Sequence, residues 1–186
     1  INLRDLADPE GTDTIYAEEL LKRAGFSTVR SLDHSNYQGA EILQDLNLPL
    51  ADGLHDCCDC VLDGGSLEHV FDFRTAVENC AAMLRPGGLF ITACPVSGWM
   101  GHGFYQFSPE LFFRVFCPEQ GFVPKFAALQ VRRGRRSRIY SLSDPARTGH
   151  RLQFNPHGRT TMLFVAQRLP GKALPLKFCA QQSDYS

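Results

Sequence analysis

No apolar run in this chain approaches the roughly 18 to 20 residues that a bilayer-spanning helix needs. The succession of basic, apolar and small residues that marks a secretory signal is also missing from its start. Charge of one sign is lacking: 19 Lys and Arg stand against 20 Asp and Glu, for a net charge of −1. Nothing general therefore draws the chain to nucleic acid or to an anionic membrane surface, and neither is expected as a partner. A disulfide framework is absent too. The seven cysteines are odd in number and irregular in spacing, which predicts free thiols and a cytoplasmic location. There is no repeat and no low-complexity tract. The first residue is Ile rather than Met, which fits either a fragment or a chain whose leader lies outside it.

What is present is an ordinary globular composition over 186 residues, 44% hydrophobic and 21% charged, enough for one sizeable core. Apolar runs alternate with segments of helical period, the pattern of a mostly parallel sheet covered by helices. "INLRDL" (1–6) reads as a short first strand and Thr14–Ala24 as a helix closed by Gly25. "STVRSLD" and "AEILQDL" read as strands ending at Asp33 and near Asp45, and "CDCVLDGG" as a fourth strand that delivers Asp63, Gly64 and Gly65. "FRTAVENCAAMLRPGG" predicts a helix stopped by Pro86-Gly87-Gly88, and "LFITACPV" a strand buried on both faces. "SPELFFRVFC" opens with Ser and Pro in the order of an N-cap and first helical residue. "FAALQVRR", "RIYSLS" and "TTMLFVAQRL" follow as strands. Residues 1–169 are expected to form a single α/β domain, and 170–186 a peripheral tail.

In an open α/β sheet, ligands bind beyond the carboxyl ends of the strands. Asp33, Asp45 and Asp63-Gly64-Gly65 all fall there in this reading. An acid at the second strand's end suits the two hydroxyls of a ribose, and paired glycines let backbone approach a ligand. A turn or cap role is the plain alternative for each acid. His55, Cys57, Cys58 and Cys60 look like half of a zinc site, but no second cluster at ligand spacing follows, so no metal is expected.

The stretch "CDCVLDGGSLEHVFDFRTAVENCAAMLRPGGLFITACP" resembles the central part of class I S-adenosylmethionine-dependent methyltransferases. In that family an acid-ended strand, a Leu-Glu-His loop, a helix, Leu-[Arg/Lys]-Pro-Gly-Gly and another strand follow in order. Here they are Asp63, Leu67-Glu68-His69 and Leu84-Arg85-Pro86-Gly87-Gly88. "GHGFYQFSPELFFRVF" is similar to a subgroup in which this segment helps enclose the acceptor. The resemblance spans 14–169 and is most specific over 59–116. It implies a Rossmann-like, mostly parallel seven-stranded sheet flanked by helices, with an antiparallel C-terminal strand. It also implies S-adenosylmethionine as the methyl donor. Asp33 would bind the donor's ribose, Asp45 and Leu46 would flank its adenine, and Asp63, Gly64 and Gly65 would lie near its amino acid end. One departure is clear: the family's G-x-G-x-G loop has no counterpart in "INLRDLADPEG", which fits a truncated first strand, a different loop in this subgroup, or weak or lost donor binding.

Methyl transfer is an in-line displacement that rests mainly on positioning, with a base for an oxygen or nitrogen nucleophile. His69 and His102 are the candidate bases and Tyr105 an orienting hydroxyl, set against plain roles in a helix start and a flexible Gly101–Gly103 loop. Phe112, Phe113 and Phe116 are expected in the core. Trp99, Met100, Phe104 and Tyr105 lie among glycines and could wall a binding site. "RRGRRSR" reads as a solvated hairpin or as a site for an anionic acceptor. The expected activity is methylation of an oxygen or nitrogen on a small molecule, a sugar or specialised metabolite. The alternatives are a catalytically silent methyltransferase-like scaffold and another nucleotide-binding enzyme on a similar fold. The oligomeric state is not legible.

Overall fold

The computed structural model describes residues 17–36, 39–174 and 177–183. They fall into two compact units, Ile1–Asp45 and Leu46–Ser186. The expected strand over residues 1–6 lies outside the described residues.

In the first unit, α1 (Ala17–Arg23) carries Glu18 and Glu19 in its first turn and Lys22 and Arg23 in its last, matching the helix dipole. It ends at Gly25: the Gly25 N–H donates to the Lys22 C=O at 3.0 Å, and the Phe26 N–H to the Leu21 C=O at 3.1 Å. That paired closure satisfies carbonyls the helix would leave open. Two short strands follow, β1 (Leu32–Asp33) and β2 (Ile42–Leu43), paired in parallel with Asp33 opposite Leu43. The apolar runs predicted longer strands. Only two residues of each pair.

The second unit is built on a five-stranded sheet. β3 (Cys58–Asp63) leads through α2 (Phe73–Met83) to a parallel β4 (Leu84–Ser97). α3 (Pro109–Val115) then leads to β5 (Phe122–Arg133), β6 (Arg136–Ser141), the short α4 (Pro145–Thr148) and β7 (Arg159–Arg168). The strand order is β3-β4-β7-β5-β6. An α/β sheet with an antiparallel C-terminal strand is therefore present: β7 runs antiparallel to both β4 and β5. The expected count of seven is corrected to five, and in this sheet parallel pairing is confined to β3 and β4. The two-residue Gly134-Arg135 link forces β5 and β6 antiparallel, since a parallel partner needs a long crossover.

α2 starts on Asp72, whose Oδ1 accepts the Thr75 N–H at 3.1 Å. Its inner face buries Ala76, Val77, Cys80, Ala81 and Met83. Leu84-Arg85-Pro86 ends the helix, and residues 85–88 bulge out of β4, since Cys58 pairs with Leu84 but Cys60 with Leu89. β7 alternates buried Thr160, Met162, Phe164 and Ala166 with half-buried neighbours. Phe116 stands at the centre of the core, stacked on Phe90 at 4.3 Å and meeting Phe122 at 5.1 Å and Phe164 at 5.9 Å. The tail docks on this body: Phe178 is buried, and Arg74 and Glu78 clasp its backbone at 2.7 Å each. Among the described residues no helix is long and apolar enough to cross a membrane.

Candidate active site

Asp63 ends β3 beside Thr92 of β4, and it is buried. Its Oδ2 accepts the Thr92 hydroxyl at 2.6 Å. Its Oδ1 accepts the N–H groups of Gly65, Ser66 and Leu67 at 3.2, 2.8 and 3.3 Å. Both oxygens thus shape the turn that follows, and the carboxylate acts as the anchor of the Gly64-Gly65 loop. Gly64 itself is exposed, with nothing within 4 Å of where a Cβ would stand.

The turn continues into a short 3-10 helix, Leu67–His69, that buries Leu67 and Glu68 and leaves His69 exposed. Glu68 has 2% of its surface exposed. Its backbone C=O accepts the N–H of Phe104 at 2.7 Å and of Tyr105 at 3.3 Å. The loop after β4 is thereby fastened over the turn after β3. Gly103, at φ +70°, permits this approach: a Cβ there would stand 2.8 Å from the Glu68 carbonyl oxygen and 2.9 Å from its Cγ. The same fastening brings His102 Nε2 to 3.4 Å from Glu68 Oε1, and the His102 and His69 rings meet edge to face at 4.9 Å. Glu68 Oε2 is buried without a hydrogen-bond partner. Burial raises the Glu68 carboxyl pKa above its usual range, Asp63 adds to the rise, and the two histidines oppose it.

Tyr105 is half-buried, and its hydroxyl donates to the Phe71 C=O at 2.6 Å. Around the histidines the surface is apolar: Phe71, Met100 and Phe104 are exposed, Met100 to 96%. Trp99 donates Nε1–H to the Thr160 C=O at 3.0 Å and lies under the Arg159 guanidinium at 5.0 Å. Of the residues expected to wall a site, Phe104 and Met100 therefore face solvent, while Trp99 is tied to β7. Phe112, Phe113 and Phe116 are core, as their helical spacing predicts.

In the first unit Asp33 and Asp45 stand at or just past the carboxyl ends of two parallel strands. Asp33 is exposed. Its Oδ1 accepts the Ser35 N–H at 2.8 Å, and His34 Nδ1 lies at 2.9 Å. The Ser35 N–H, with the Ser35 hydroxyl and His34 assisting, holds the carboxyl below the usual aspartate value. Asp45 is exposed and its C=O accepts the Gln44 amide at 2.8 Å. Leu46, in the second unit, is half-buried, and its C=O accepts Asn79 Nδ2 at 3.3 Å.

The structure thus assembles Asp63, Gly64, Gly65, His69, His102 and Tyr105 on the second unit, and Asp33 and Asp45 on the first. Sequence reading assigned no role to Glu68, the one buried acid in the loop; its place between two expected site residues was the available signal. The half-site of His55, Cys57, Cys58 and Cys60 does not assemble. Among the described residues, Glu68, His69 and His102 are instead the group whose ligand atoms converge, all within 4.8 Å of one another. The arginine run forms the β5–β6 hairpin, where Val131, Arg133, Arg136, Arg138 and Tyr140 border an open depression of about 350 Å³. Strands lie about 4.8 Å apart, so β6, four steps from β3, is roughly 19 Å away. Neither His69 nor His102 borders that depression.

Residues 13–92 match the family model described as a methyltransferase domain. Over that stretch, which takes in β3, α2 and the start of β4, the chain is similar to methyltransferase domains. Three solved structures are similar. A Methanosarcina mazei S-adenosylmethionine-dependent methyltransferase is 14% identical, with 83% of this chain and 78% of that one covered at a TM-score of 0.43. The antibiotic-resistance methyltransferase Kmr is 16% identical, with 70% and 62% covered at 0.40. A protein of echinomycin biosynthesis that converts a disulfide bond into a thioacetal group is 14% identical, with 84% and 74% covered at 0.43. Among curated proteins none matches the chain.

Proposed function

We propose that this chain transfers a methyl group from S-adenosylmethionine to an oxygen or nitrogen of a small molecule, a sugar or specialised metabolite. The observation that supports it most is the Glu68–His102 contact: a buried carboxylate set 3.4 Å from a half-exposed imidazole, beside exposed Phe71, Met100 and Phe104. A carboxylate behind an imidazole orients it and stabilises its protonated form, so His102 can take the acceptor's proton as the nucleophile attacks. His69, with its ring 4.9 Å from that of His102, holds a second proton acceptor at the same place. The Tyr105 hydroxyl, donating to Phe71, keeps lone pairs that can orient an acceptor.

The donor supplies an electrophilic methyl on a sulfonium. The chain's part is to hold it in line with the acceptor. Asp33, exposed and kept ionised by Ser35, suits the paired hydroxyls of a ribose. Asp45 and Leu46 are assigned to the adenine. Asp63 fixes the loop in which the open backbone of Gly64, with Gly65 packed against Glu68 beside it, receives the amino acid end. An anionic acceptor gains little support, because the depression beside Arg133, Arg136 and Arg138 is lined by neither His69 nor His102.

Calorimetry with S-adenosylmethionine and S-adenosylhomocysteine tests the assignment. Saturable binding is expected, and Asp33→Ala should weaken it about 10- to 100-fold, the loss of charge-assisted hydrogen bonds. Unchanged affinity in that variant would refute the ribose role. A second reading is a silent methyltransferase-like scaffold. That reading predicts no donor binding. Binding of a different nucleotide in its place would point to another enzyme on a similar fold.

A further inference from the structure

We infer that Glu68, His69 and His102 form a binding site for a divalent first-row transition-metal ion. Two imidazoles and one carboxylate are a donor set suited to zinc or ferrous iron, and three protein ligands leave positions open for oxygens of a small molecule. The ligand atoms lie within 4.8 Å of one another, and the His102 Nε2 to Glu68 Oε1 distance is 3.4 Å. For bonds near 2.1 Å, a tetrahedral site has edges of about 3.4 Å. The exposed His69 ring already places a nitrogen within that 4.8 Å.

Glu68 is the observation that separates this from a chance cluster. Its carboxylate is buried, and Oε2 has no hydrogen-bond partner, an arrangement that burial makes costly unless a cation or donor answers it. The ligands are also held before any ion arrives. Glu68 and His69 come from a turn anchored by three N–H bonds to Asp63, and His102 from a loop fastened to the Glu68 carbonyl. A bound ion would take the imidazole lone pairs assigned above to proton removal. In that state the ion lowers the pKa of an oxygen ligand, and the histidines position rather than accept protons. The site stands on ligand geometry alone and does not depend on the chain being a methyltransferase.

The experiment uses the full chain stripped by chelator and titrated with Zn²⁺ by calorimetry and with Co²⁺ by visible absorption. One ion per chain is expected. His102→Ala, His69→Ala and Glu68→Gln should each weaken binding by about tenfold or more, a range that even an outer-shell change produces. A Cys57→Ser/Cys58→Ser/Cys60→Ser variant should bind as wild type. His102 lies on an exposed loop, so His102→Ala reports even if the buried Glu68→Gln unfolds, with circular dichroism as the check on folding. The absence of saturable one-to-one binding, unchanged affinity in His102→Ala, or loss of binding in the triple serine variant would each overturn the site. Donor binding measured on the same sample reads the methyltransferase assignment separately.

Discussion

Asp63 shows how a residue can be found by sequence and its role still be incomplete. The apolar run and the glycines after it locate the acid at a strand end. They do not show Thr92, 29 positions later, donating to Oδ2, because that neighbour depends on the register of β3 against β4. With four donors on one buried carboxylate, Asp63→Ala is expected to lower stability by about 1–3 kcal/mol, read by urea denaturation. Cysteine chemistry is also set residue by residue. Burial pushes the Cys80 and Cys94 thiols far above their usual value, while burial and neighbouring Cys57 push Cys58 up to about 12. Cys179 is exposed. Alkylation of the native protein near pH 8 should therefore mark Cys179 early and spare Cys80 and Cys94 until denaturant is added, as read by mass spectrometry. Early labelling of Cys80 would contradict the packing of α2.

At the scale of elements, most were legible, and the true lengths of the two shortest strands were not. The apolar stripe of α2 and the alternation of β7 each run over ten residues or more, so their pattern survives any local ambiguity. β1 and β2 pair over two residues each, and hydrophobic runs around them predicted more. What no periodicity could reveal is the fastening of the loop after β4 to the turn after β3. It depends on two N–H groups meeting one carbonyl and on a glycine where no Cβ fits. Gly103→Ala tests it. The added carbon must push His102 away from Glu68, and a displacement of about 1 Å costs on the order of 100-fold in rate when positioning carries the reaction. Methyl transfer per folded molecule should fall by that order, beyond the loss of melting temperature that a strained alanine brings. A large loss of stability with transfer per folded molecule intact would show the loop to be structural only.

For the whole molecule, the aromatic core ties α3, three of the sheet strands and the tail into one body through Phe116. Its ring touches Phe90, Phe112, Phe122, Phe164 and Phe178. Phe116→Ala should cost about 3–5 kcal/mol and loosen the tail, seen as faster amide exchange around Phe178. Donor binding carries a pH signature as well. Asp33 has a lowered pKa, so its contribution is present above the ordinary aspartate value and is lost only as pH falls through the lower folded value. Affinity limited by Asp33 should stay flat from pH 8 to about pH 5 in calorimetry. A decline already at pH 6 would place the ribose contact elsewhere.

The β6 strand closes one side of the sheet, every residue of it is exposed, and it carries Arg136 and Arg138. An open strand edge is a template on which a second chain can add its own strand, and cationic side chains along it are a common means of keeping molecules apart. Repulsion between copies, rather than attraction of a ligand, gives these arginines a purpose that needs no site at all. Replacing both with valine would leave the crevice untouched and turn that edge into a seam for self-association, visible as concentration-dependent growth in light scattering.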